Sequence, residues 1–502
     1  MRTIGLLCLA LCLLAPLGVA QFNDPTFLTC GYYDNNSSSY ARGLWVIDAK
    51  MQKAMALFPP TLRNYYIYNA MMDADNKSIV FMASTTSSTL YTPRNGIYRF
   101  NPTTGVLQTI AAGEYGKTGA EHQWTYRALE ITQDGHYVFG MYGTYQTVPS
   151  TLNDYRLLRT DGFGNFTTLT YSRIATASIS PHDYAIGTNI DTGRLLFQTR
   201  NAQSSSLYNW YYGVLEIDTD GSGKWGTFSN GGGYYYPPNQ TSTRGYGWLQ
   251  TYGRLRQNFA NGALQSVEGS AATIYELKPG KTPRTTLYIS GRPGGWVFRG
   301  LAPGIPDLQS AANPRWVVPA HWYKPTQGSN PASYTPGVIG IDQQTYFATG
   351  HPCDPTNNVR VLYGATYNPY VFDFYRGRHV QTVKTGTKKW QLRFSCPSFP
   401  NKQYVAAISA AGIRPGIPLP DGRRIFLNFD GLVLLSIGGA LKPYFDAGPL
   451  RLDSNGEAQG SIDLSKIPNT GGRAIHVAMV VIDVNAPSGI GYIPDTYVLR
   501  IP

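Results

Sequence analysis

The chain has 502 residues, of which 13% are aromatic and 14% are charged, and its formal net charge is +12. This length is more than one small core organises, so it favours two or three domains or a repeat array. Abundant tyrosine and glycine with few charged residues favours strands and turns over helices. The basic residues are scattered and no recognition motif accompanies them, which argues against nucleic acid as the partner. A diffuse positive charge is typical of solubility and is also compatible with acidic polysaccharides.

Residues 1–20 have the pattern of an export signal. Arg2 supplies the positive start, Ile4–Leu17 is apolar but too short to span a bilayer, and the segment ends in small residues at Ala20. No later stretch is apolar for long enough to cross a membrane. We therefore expect a secreted or extracytoplasmic protein, in the periplasm or at the cell surface, without a membrane span.

Three cysteines remain after removal of the signal: Cys30, Cys353 and Cys396. An odd count in an exported chain allows one disulfide and one remaining thiol. A Cys30–Cys353 bond would tie the two ends of a closed ring together, whereas a Cys353–Cys396 bond would join the ring to the next domain. The sequence leaves both pairings open. No CxxC pair is present, so we predict neither a metal site nor a cofactor.

An internal repeat is the most informative feature of the chain. Three segments each contain a short apolar strand, an Asp-containing turn and a second apolar strand that ends in phenylalanine. The phenylalanines are Phe81, Phe139 and Phe197, and successive ones are 58 residues apart. A second hairpin follows each of these, with strand ends at Phe100, Leu158, Ile217 and, in a fourth unit, Leu277. Gly, Asn and Asp occupy the turns, where a positive φ is needed.

Four strands per repeat is the unit of a propeller blade, which must be covered on both faces by its neighbours. An earlier final hairpin is predicted at Leu44–Ile47 with Ala54–Leu57. Because the repeat is long for a blade, we expect inserted loops between the two hairpins of each unit. The predicted inserts are Ser84–Arg94, Gly143–Asn153 and Ala202–Asn209.

Beyond Ile289 the repeat becomes irregular. Trp296–Phe298 and Trp316–Val318 are predicted strands of one blade, and strands from Val338 to Phe374 form another. The predicted fold is all-β, with a β-propeller of about seven blades (six is the alternative) over residues 21–383. A pair of β-sandwiches that does not close into a ring is the competing architecture.

A polar linker, Lys384–Lys389, is predicted to precede a small immunoglobulin-like β-sandwich at residues 390–502. About seven short strands support that assignment, among them Ile425–Leu427 and Val433–Leu435. Within this region the order Tyr404–Ala411, Arg414–Arg423, Asp430–Leu435, Leu452–Gly456 resembles a C-terminal β-domain that recurs in secreted bacterial proteins with varied N-terminal modules. The resemblance implies a bacterial, extracytoplasmic setting and an accessory domain, and it brings no catalytic residues.

Motifs for common chemistry fail in their context. Gly221–Gly226 matches GxGxxG, but strand pattern continues on both sides, so a hairpin turn is predicted. Asp218–Ser222 begins like a calcium loop, yet its twelfth position is Ser229 rather than a glutamate. Neither HExxH nor GxSxG occurs. His182 and Asp183 are candidates for the mouth of the propeller.

The predicted binding residues are aromatic, with an arginine, because aromatic faces stack on sugar rings and arginine pairs with carboxylate or sulfate. They are Tyr234, Tyr235, Tyr236, Arg244, Tyr246, Trp248, His321 and Trp322. The favoured function is a non-enzymatic secreted protein that binds a glycan or an extracellular protein. A propeller-based polysaccharide lyase or glycosidase, and a structural component of the envelope, are the alternatives. The sequence does not fix the oligomeric state.

Overall fold

The computed structural model describes most of the chain between residues 26 and 501. The described residues are 26–33, 41–48, 53–57, 65–73, 75, 78–85, 95–101, 104–112, 122–132, 135–147, 150–169, 178–202, 210–218, 226–227, 253–268, 273–279, 285–291, 296–298, 305–307, 315–324, 333–346, 348–352, 354–355, 379–396 and 399–501. The predicted signal peptide and the Gly221–Gly226 motif's first five residues lie outside them.

Strands dominate the described N-terminal region. They are β1 (Thr26–Tyr33), β2 (Ala41–Asp48), β3 (Lys53–Leu57), β4 (Tyr65–Met72), β5 (Ile79–Thr85), β6 (Asn95–Phe100), β7 (Leu107–Ala112), β8 (His122–Ile131), β9 (Tyr137–Thr147), β10 (Ser150–Thr160), β11 (Phe166–Thr168), β12 (Ser178–Thr188), β13 (Leu195–Ala202), β14 (Trp210–Ile217), β15 (Gly226–Thr227), β16 (Gly253–Arg254), β17 (Arg256–Gln257), β18 (Leu264–Glu268), β19 (Thr273–Leu277), β20 (Thr285–Tyr288), β21 (Trp296–Phe298), β22 (Ile305–Asp307), β23 (Arg315–Lys324), β24 (Ser333–Asp342), β25 (Ala348–Pro352) and β26 (Asp354–Pro355).

These strands form six sheets in the described part of the region. Their orders are β1-β2-β3-β26, β4-β5-β6-β7, β8-β9-β10-β11, β15-β14-β13-β12-β16, β17-β18-β19-β20 and β21-β23-β24-β25 with β22 beside β23. Strands joined directly by a hairpin pair in antiparallel register, as the predicted double hairpins require, whereas β12 with β16 and β3 with β26 pair in parallel. Trp296–Phe298 and Val338–Ile341, predicted in separate blades, share one sheet through β23 and β24.

The strand register confirms the phenylalanine repeat. Phe81 opposes Ala70, Phe139 opposes Leu129, and Phe197 opposes Ile186, so the three phenylalanines occupy one equivalent position. The predicted equivalence of Leu158 with Phe100 is wrong by two residues. Phe100 opposes Ile79, and its counterpart opposite Tyr137 is Thr160. The position of the turn sets the register of a hairpin. The apolar run of β10 ends at Leu158, but the strand continues for two more residues to Thr160 before the turn at Asp161–Asn165.

The predicted insert Gly143–Asn153 is also mostly strand. β9 and β10 pair continuously from Tyr137–Thr160 to Thr147–Ser150, so the extra length extends a hairpin rather than a loop. Residues 86–94 and 203–209, which contain most of the other two inserts, lie outside the described residues.

Apolar side chains pack between successive sheets, which is the arrangement of radial blades. One core joins the β4–β7 sheet to the next through Phe81, Ile131 and Phe139. The following cores join Val138 to Leu195, and Leu196 to Leu264. The β8–β11 sheet and the β12–β16 sheet are therefore each covered on both faces by their neighbours, and the structure shows the β-propeller fold.

The ring closes through a short parallel contact between its ends. Asp354 and Pro355 in β26 pair with Lys53 and Ala54 in β3. The last described segment of the propeller thus completes the first sheet. Cys30 lies in that sheet, while Cys353 lies outside the described residues, so the disulfide pairing stays open.

Several hairpin tips share one turn, in which an Asn or Asp side chain caps the chain that follows. Asn189 Oδ1 accepts from the backbone N–H of Asp191 and Thr192, and Asn258 Oδ1 accepts from those of Ala260 and Asn261. Asp342 does the same. The fifth residue of each turn has a positive φ: 70° at Gly193, 76° at Gly262 and 57° at Tyr346. An Asx residue followed four positions later by a residue with positive φ, glycine in two of these three turns, is thus the local reason these strands reverse.

The C-terminal region is a two-sheet sandwich with one short helix. Its strands are β27 (Val380–Gly386), β28 (Lys389–Ser395), β29 (Tyr404–Ser409), β30 (Ile417–Pro418), β31 (Arg424–Ile425), β32 (Phe445–Asp446), β33 (Glu457–Asp463), β34 (Ala474–Ile482), β35 (Ile490–Tyr492) and β36 (Tyr497–Arg500), and its helix is α1 (Gly431–Ile437). One sheet has the order β27-β28-β33-β32, and the other joins β29, β35 and β36 to β34. Leu392, Phe394, Val477 and Met479 belong to the core between them.

Two predictions in this region are wrong. Lys384–Lys389 is not a linker, because β27 and β28 pair as a hairpin with Lys388 at a positive φ in its turn. Val433–Leu435 is helical, because Asp430 caps α1 by accepting from the Val433 N–H at 3.0 Å. A short apolar run does not by itself distinguish a strand from a helix.

Candidate binding face

The blades have two distinct ends, which their contacts define. The tips between β4 and β5, β8 and β9, β12 and β13, β17 and β18, and β24 and β25 lie at one end. Contacts such as Tyr137 to Asp73, Ile190 to Gln257 and Asn258 to Gln343 connect these tips. We call this end the sandwich face, because the C-terminal sandwich contacts it. The opposite end, where β5 leads to β6, β9 to β10, β13 to β14 and β18 to β19, is the loop face.

Arginine and carboxylates form a buried network at the sandwich face of the second and third sheets. Asp73 is only 3% exposed and forms an ion pair with Arg99, which also donates to Asp75 at 2.6 Å. Tyr137 donates to Asp73 at 3.1 Å from the next sheet. Burial, followed by the Asp73 charge, raises the pKa of Tyr137. The hydroxyl therefore remains protonated and links two blades.

A related network lies at the next blades. Asn189 donates to Glu216 at 2.5 Å, and burial raises the pKa of the Glu216 carboxyl. In the β17–β20 sheet Gln265 donates to Glu276 at 2.7 Å and accepts from the indole N–H of Trp316 at 2.6 Å. The first two bonds satisfy polar groups within one blade and the Trp316 bond joins two blades, so their geometry is that of structural links.

The sandwich is fixed to this face by ion pairs around an apolar contact. Arg414 pairs with Asp191, and Arg500 pairs with Asp218. Phe259 packs edge-on against Phe426, with ring centroids 5.3 Å apart. Asp218 was the first residue of the rejected calcium pattern, and its carboxylate is held by arginines instead.

A buried histidine completes this interface. His476 is 2% exposed, and its Nε2 lies 3.0 Å from the Ile190 carbonyl, to which it donates. Burial lowers the pKa of His476. The neutral imidazole therefore suits this position, and protonation of His476 would destabilise the contact between the sandwich and the propeller.

Aromatic residues gather at the loop face of the blades. Tyr65 and Tyr66 begin β4, and Trp210 to Tyr212 begin β14, while Trp322 and Tyr323 lie at the end of β23. Aromatic residues in the loop-face half of the described strands include Tyr65, Tyr66, Trp124, Tyr126, Tyr142, Tyr145, Trp210, Tyr211, Tyr212, Trp322, Tyr323 and Tyr334. The sandwich-face halves carry buried aliphatic residues such as Ile79, Ile131 and Leu195, together with buried aromatic residues such as Phe100, Tyr137 and Trp316.

The structure places only part of the predicted site. Tyr234, Tyr235, Tyr236, Arg244, Tyr246 and Trp248 lie outside the described residues. The strands that flank them are described: β15 runs toward the loop face, and β16 runs away from it. His321 and Trp322 lie in the loop-face half of β23, since Lys324 opposes Ser333 while Arg315 opposes Asp342 at the other end. The backbone therefore assigns His321 and Trp322 to the loop-face half of β23, whereas the described ends of β15 and β16 pair with residues near the sandwich-face ends of β14 and β12.

Sequence reasoning missed the other aromatic residues of this face. Tyr65, Trp124 and Trp210 lie at or near the start of strands that run from the loop face toward the sandwich face. Tyr66 and Trp124 share a signal, since each lies 15 positions before a repeated phenylalanine, whereas Trp210 lies 13 positions after Phe197.

No group of three or more His, Cys, Asp or Glu side chains within them has the arrangement of a metal site. None of the helices in the described ranges is long and apolar enough to cross a membrane.

Comparisons with known proteins give distant structural likenesses. No protein-family model matches the chain, and no curated protein matches it. The periplasmic gluconolactonase PpgL of Pseudomonas aeruginosa is similar with a TM-score of 0.31 and 11% identity, over 68% of this chain and 100% of that one. The Dos1 propeller has a TM-score of 0.31 and 11% identity, over 73% and 86%. An endo-1,4-β-xylanase of Bacteroides thetaiotaomicron has a TM-score of 0.26 and 11% identity, over 68% and 95%. Some of these neighbours are propeller enzymes, but such low scores carry no argument about activity here.

Proposed function

We propose that this is a secreted glycan-binding protein that holds its ligand at the loop face of the propeller. The observation that carries the proposal is the gathering of tyrosine and tryptophan at one end of several blades, opposite the end that contacts the sandwich. Aromatic rings provide stacking surfaces for sugars, and tyrosine and tryptophan add polar groups at their edges.

The sandwich-face networks support a division of labour between the two ends. Asp73, Glu216 and Glu276 bond to partners in their own or neighbouring blades, which leaves these carboxylates in structural contacts. The sandwich then anchors that end of the propeller and leaves the loop face as the recognition surface.

The test is binding of the mature protein to a glycan array, followed by titration of the best ligand. Trp210→Ala and Trp322→Ala should each weaken binding by about tenfold, since an aromatic contact contributes roughly 1 kcal/mol or more. Phe163→Ala is the matched control, because Phe163 is 84% exposed at a hairpin tip on the sandwich face. The control should bind as the wild type does.

A turnover assay on the same sugars separates the alternatives. Binding without product supports the proposal, while cleaved product would favour the lyase or glycosidase function. Wild-type affinity in both tryptophan variants, or an array without any bound glycan, would contradict the proposal.

A further inference from the structure

The helix α1 is apolar on all sides, although the structure leaves one side of it in water. Its one polar side chain is Ser436, which is buried and donates to the Val433 carbonyl at 2.9 Å. Val433 is buried as well and packs with Ala407 and Ala478 of the β29–β34 sheet. A helix that is apolar all round is normally covered on all sides. The exposed side of α1 therefore indicates a further partner.

This exposed side carries four large apolar side chains within nine consecutive residues. Phe429 is 64% exposed, Leu434 and Ile437 are 57% exposed each, and Leu435 is 45% exposed. Phe429 lies directly before the Asp430 cap and Leu434 four residues after it, and side chains at these two positions are neighbours at the start of a helix. We name these four residues the α1 patch. Single exposed apolar residues are normal on a protein surface, but a contiguous patch marks an interaction site.

The charges around the α1 patch argue against a lipid surface as its partner. Residues 429–441 contain no lysine or arginine, and their one acidic residue is Asp430. Helices that lie on anionic lipid carry basic residues beside their apolar face, so this segment has the opposite charge pattern. The Asp430 carboxylate already accepts hydrogen bonds from Val433, Ser409, Ala410 and Ala411.

A second copy of the chain is complementary to the α1 patch. In a two-fold contact the same residues meet from both sides, so an apolar patch without basic residues matches itself. An antiparallel pair of α1 helices would place leucine against leucine. It would also keep the two Asp430 carboxylates at opposite ends of the pair, so no like charges would meet.

The size of the α1 patch determines how strong such a contact can be. At about 200 Å² for a fully exposed residue of this kind, its four side chains leave roughly 450 Å² in water. A two-fold contact would bury this area on both copies, which is roughly 900 Å² from these residues alone. Stable dimers bury about 1,600 Å², so the contact fits a weak and reversible dimer.

We infer that the α1 patch joins two copies of this protein through an antiparallel contact between their α1 helices. The sandwich contacts one end of the propeller and the loop face is the other end, so the contact leaves both loop faces free. The inference goes beyond glycan binding at the loop face and does not depend on it.

Analytical ultracentrifugation of the full mature chain tests the inference. The average mass of the wild type should rise from one chain toward two as the concentration increases from about 1 µM to about 100 µM. Leu434→Asp and Leu435→Asp should each raise the dissociation constant of the dimer at least about tenfold, because a two-fold contact would bury each new carboxylate twice. Both leucines are exposed in the single chain, so the unfolding midpoints of the monomers should stay close to that of the wild type.

Val484→Asp is the matched control, because it places the same charge at an apolar residue that is 86% exposed. Val484 follows the end of β34 that pairs with Tyr404. The α1 cap contacts Ser409, which pairs with His476 near the other end of β34. The control should therefore dimerise as the wild type does.

If an aspartate variant does not fold, Leu434→Ser removes apolar surface without adding a charge and should weaken the dimer by a smaller factor. A wild type that stays monomeric up to about 100 µM overturns the inference. A dimer that both aspartate variants form as readily as the wild type overturns it too. Sedimentation with phosphatidylglycerol vesicles is measured in parallel. Vesicle binding by a monomeric wild type, lost in Leu434→Asp and kept in Val484→Asp, would assign the patch to lipid and overturn the dimer.

Discussion

Buried carboxylates in this protein accept hydrogen bonds within and between blades, and their protonation affects the stability of the fold. Glu216 is 8% exposed, and burial raises the pKa of its carboxyl above the value of the unfolded chain. A raised carboxyl pKa means that the charged form is disfavoured in the folded state. The contribution of Glu216 to stability is therefore greatest at low pH and declines as the pH rises through the folded pKa.

Glu216→Gln should raise the free energy of unfolding at neutral pH. Glutamine keeps an oxygen that can accept from Asn189 and removes the buried charge. The gain should disappear below about pH 4, where the unfolded carboxyl is protonated as well. Urea unfolding of both proteins at several pH values measures this, and a variant less stable than the wild type at pH 7 would contradict it.

At the scale of elements, the turn chemistry explains which features the sequence could predict. The Phe81, Phe139 and Phe197 spacing revealed the blade unit because hairpins of similar length repeat. The predicted equivalence of Leu158 with Phe100 was wrong because the turn at Asp161–Asn165 begins two residues later than the apolar run suggests. Val433–Leu435 was assigned to a strand although the Asp430 cap was visible in the sequence. The β-bulges of β4, β8 and β12 could not be predicted, because a bulge depends on which residues lie opposite one another across two strands.

Gly105→Ala should destabilise the propeller by about 1 kcal/mol, since Gly105 has a φ of 71° and an L-residue there is strained. A Cβ at this position would have no atom within 4 Å, so the loss would come from the backbone alone. Gly431→Ala is the control, because it lies in the first turn of α1 and also has open space around it. Thermal unfolding should show a lower midpoint for Gly105→Ala only; equal midpoints would contradict the role of the turn.

At the scale of the whole molecule, the propeller and the sandwich share one interface. Arg414 with Asp191, Arg500 with Asp218, and Phe259 with Phe426 connect the two. The contribution of partly buried ion pairs to stability depends strongly on their surroundings. Removal of one partner, however, leaves the charge of the other without compensation. The neutral His476 adds a dependence on pH to this contact.

Arg414→Ala combined with Arg500→Ala should uncouple the unfolding of the two domains. We expect scanning calorimetry to resolve two transitions in the double variant where the wild type has one at pH 8. Because burial lowers the His476 pKa, the wild-type coupling should weaken as the pH falls below the ordinary value of 6.5. Lys442→Ala on the sandwich is an exposed control. A single transition in the double variant would show that the ion pairs do not maintain the coupling.

The pairing of Asp354 and Pro355 with Lys53 and Ala54 has a consequence for the order of folding. Residues that are far apart in the chain must meet before the circle is complete, which makes this a late event in chain synthesis and a slow contact to form. Until then the outer edge of β3 has exposed backbone groups that can recruit other strands. A chain interrupted before residue 354 would therefore be expected to aggregate through its own N-terminal sheet.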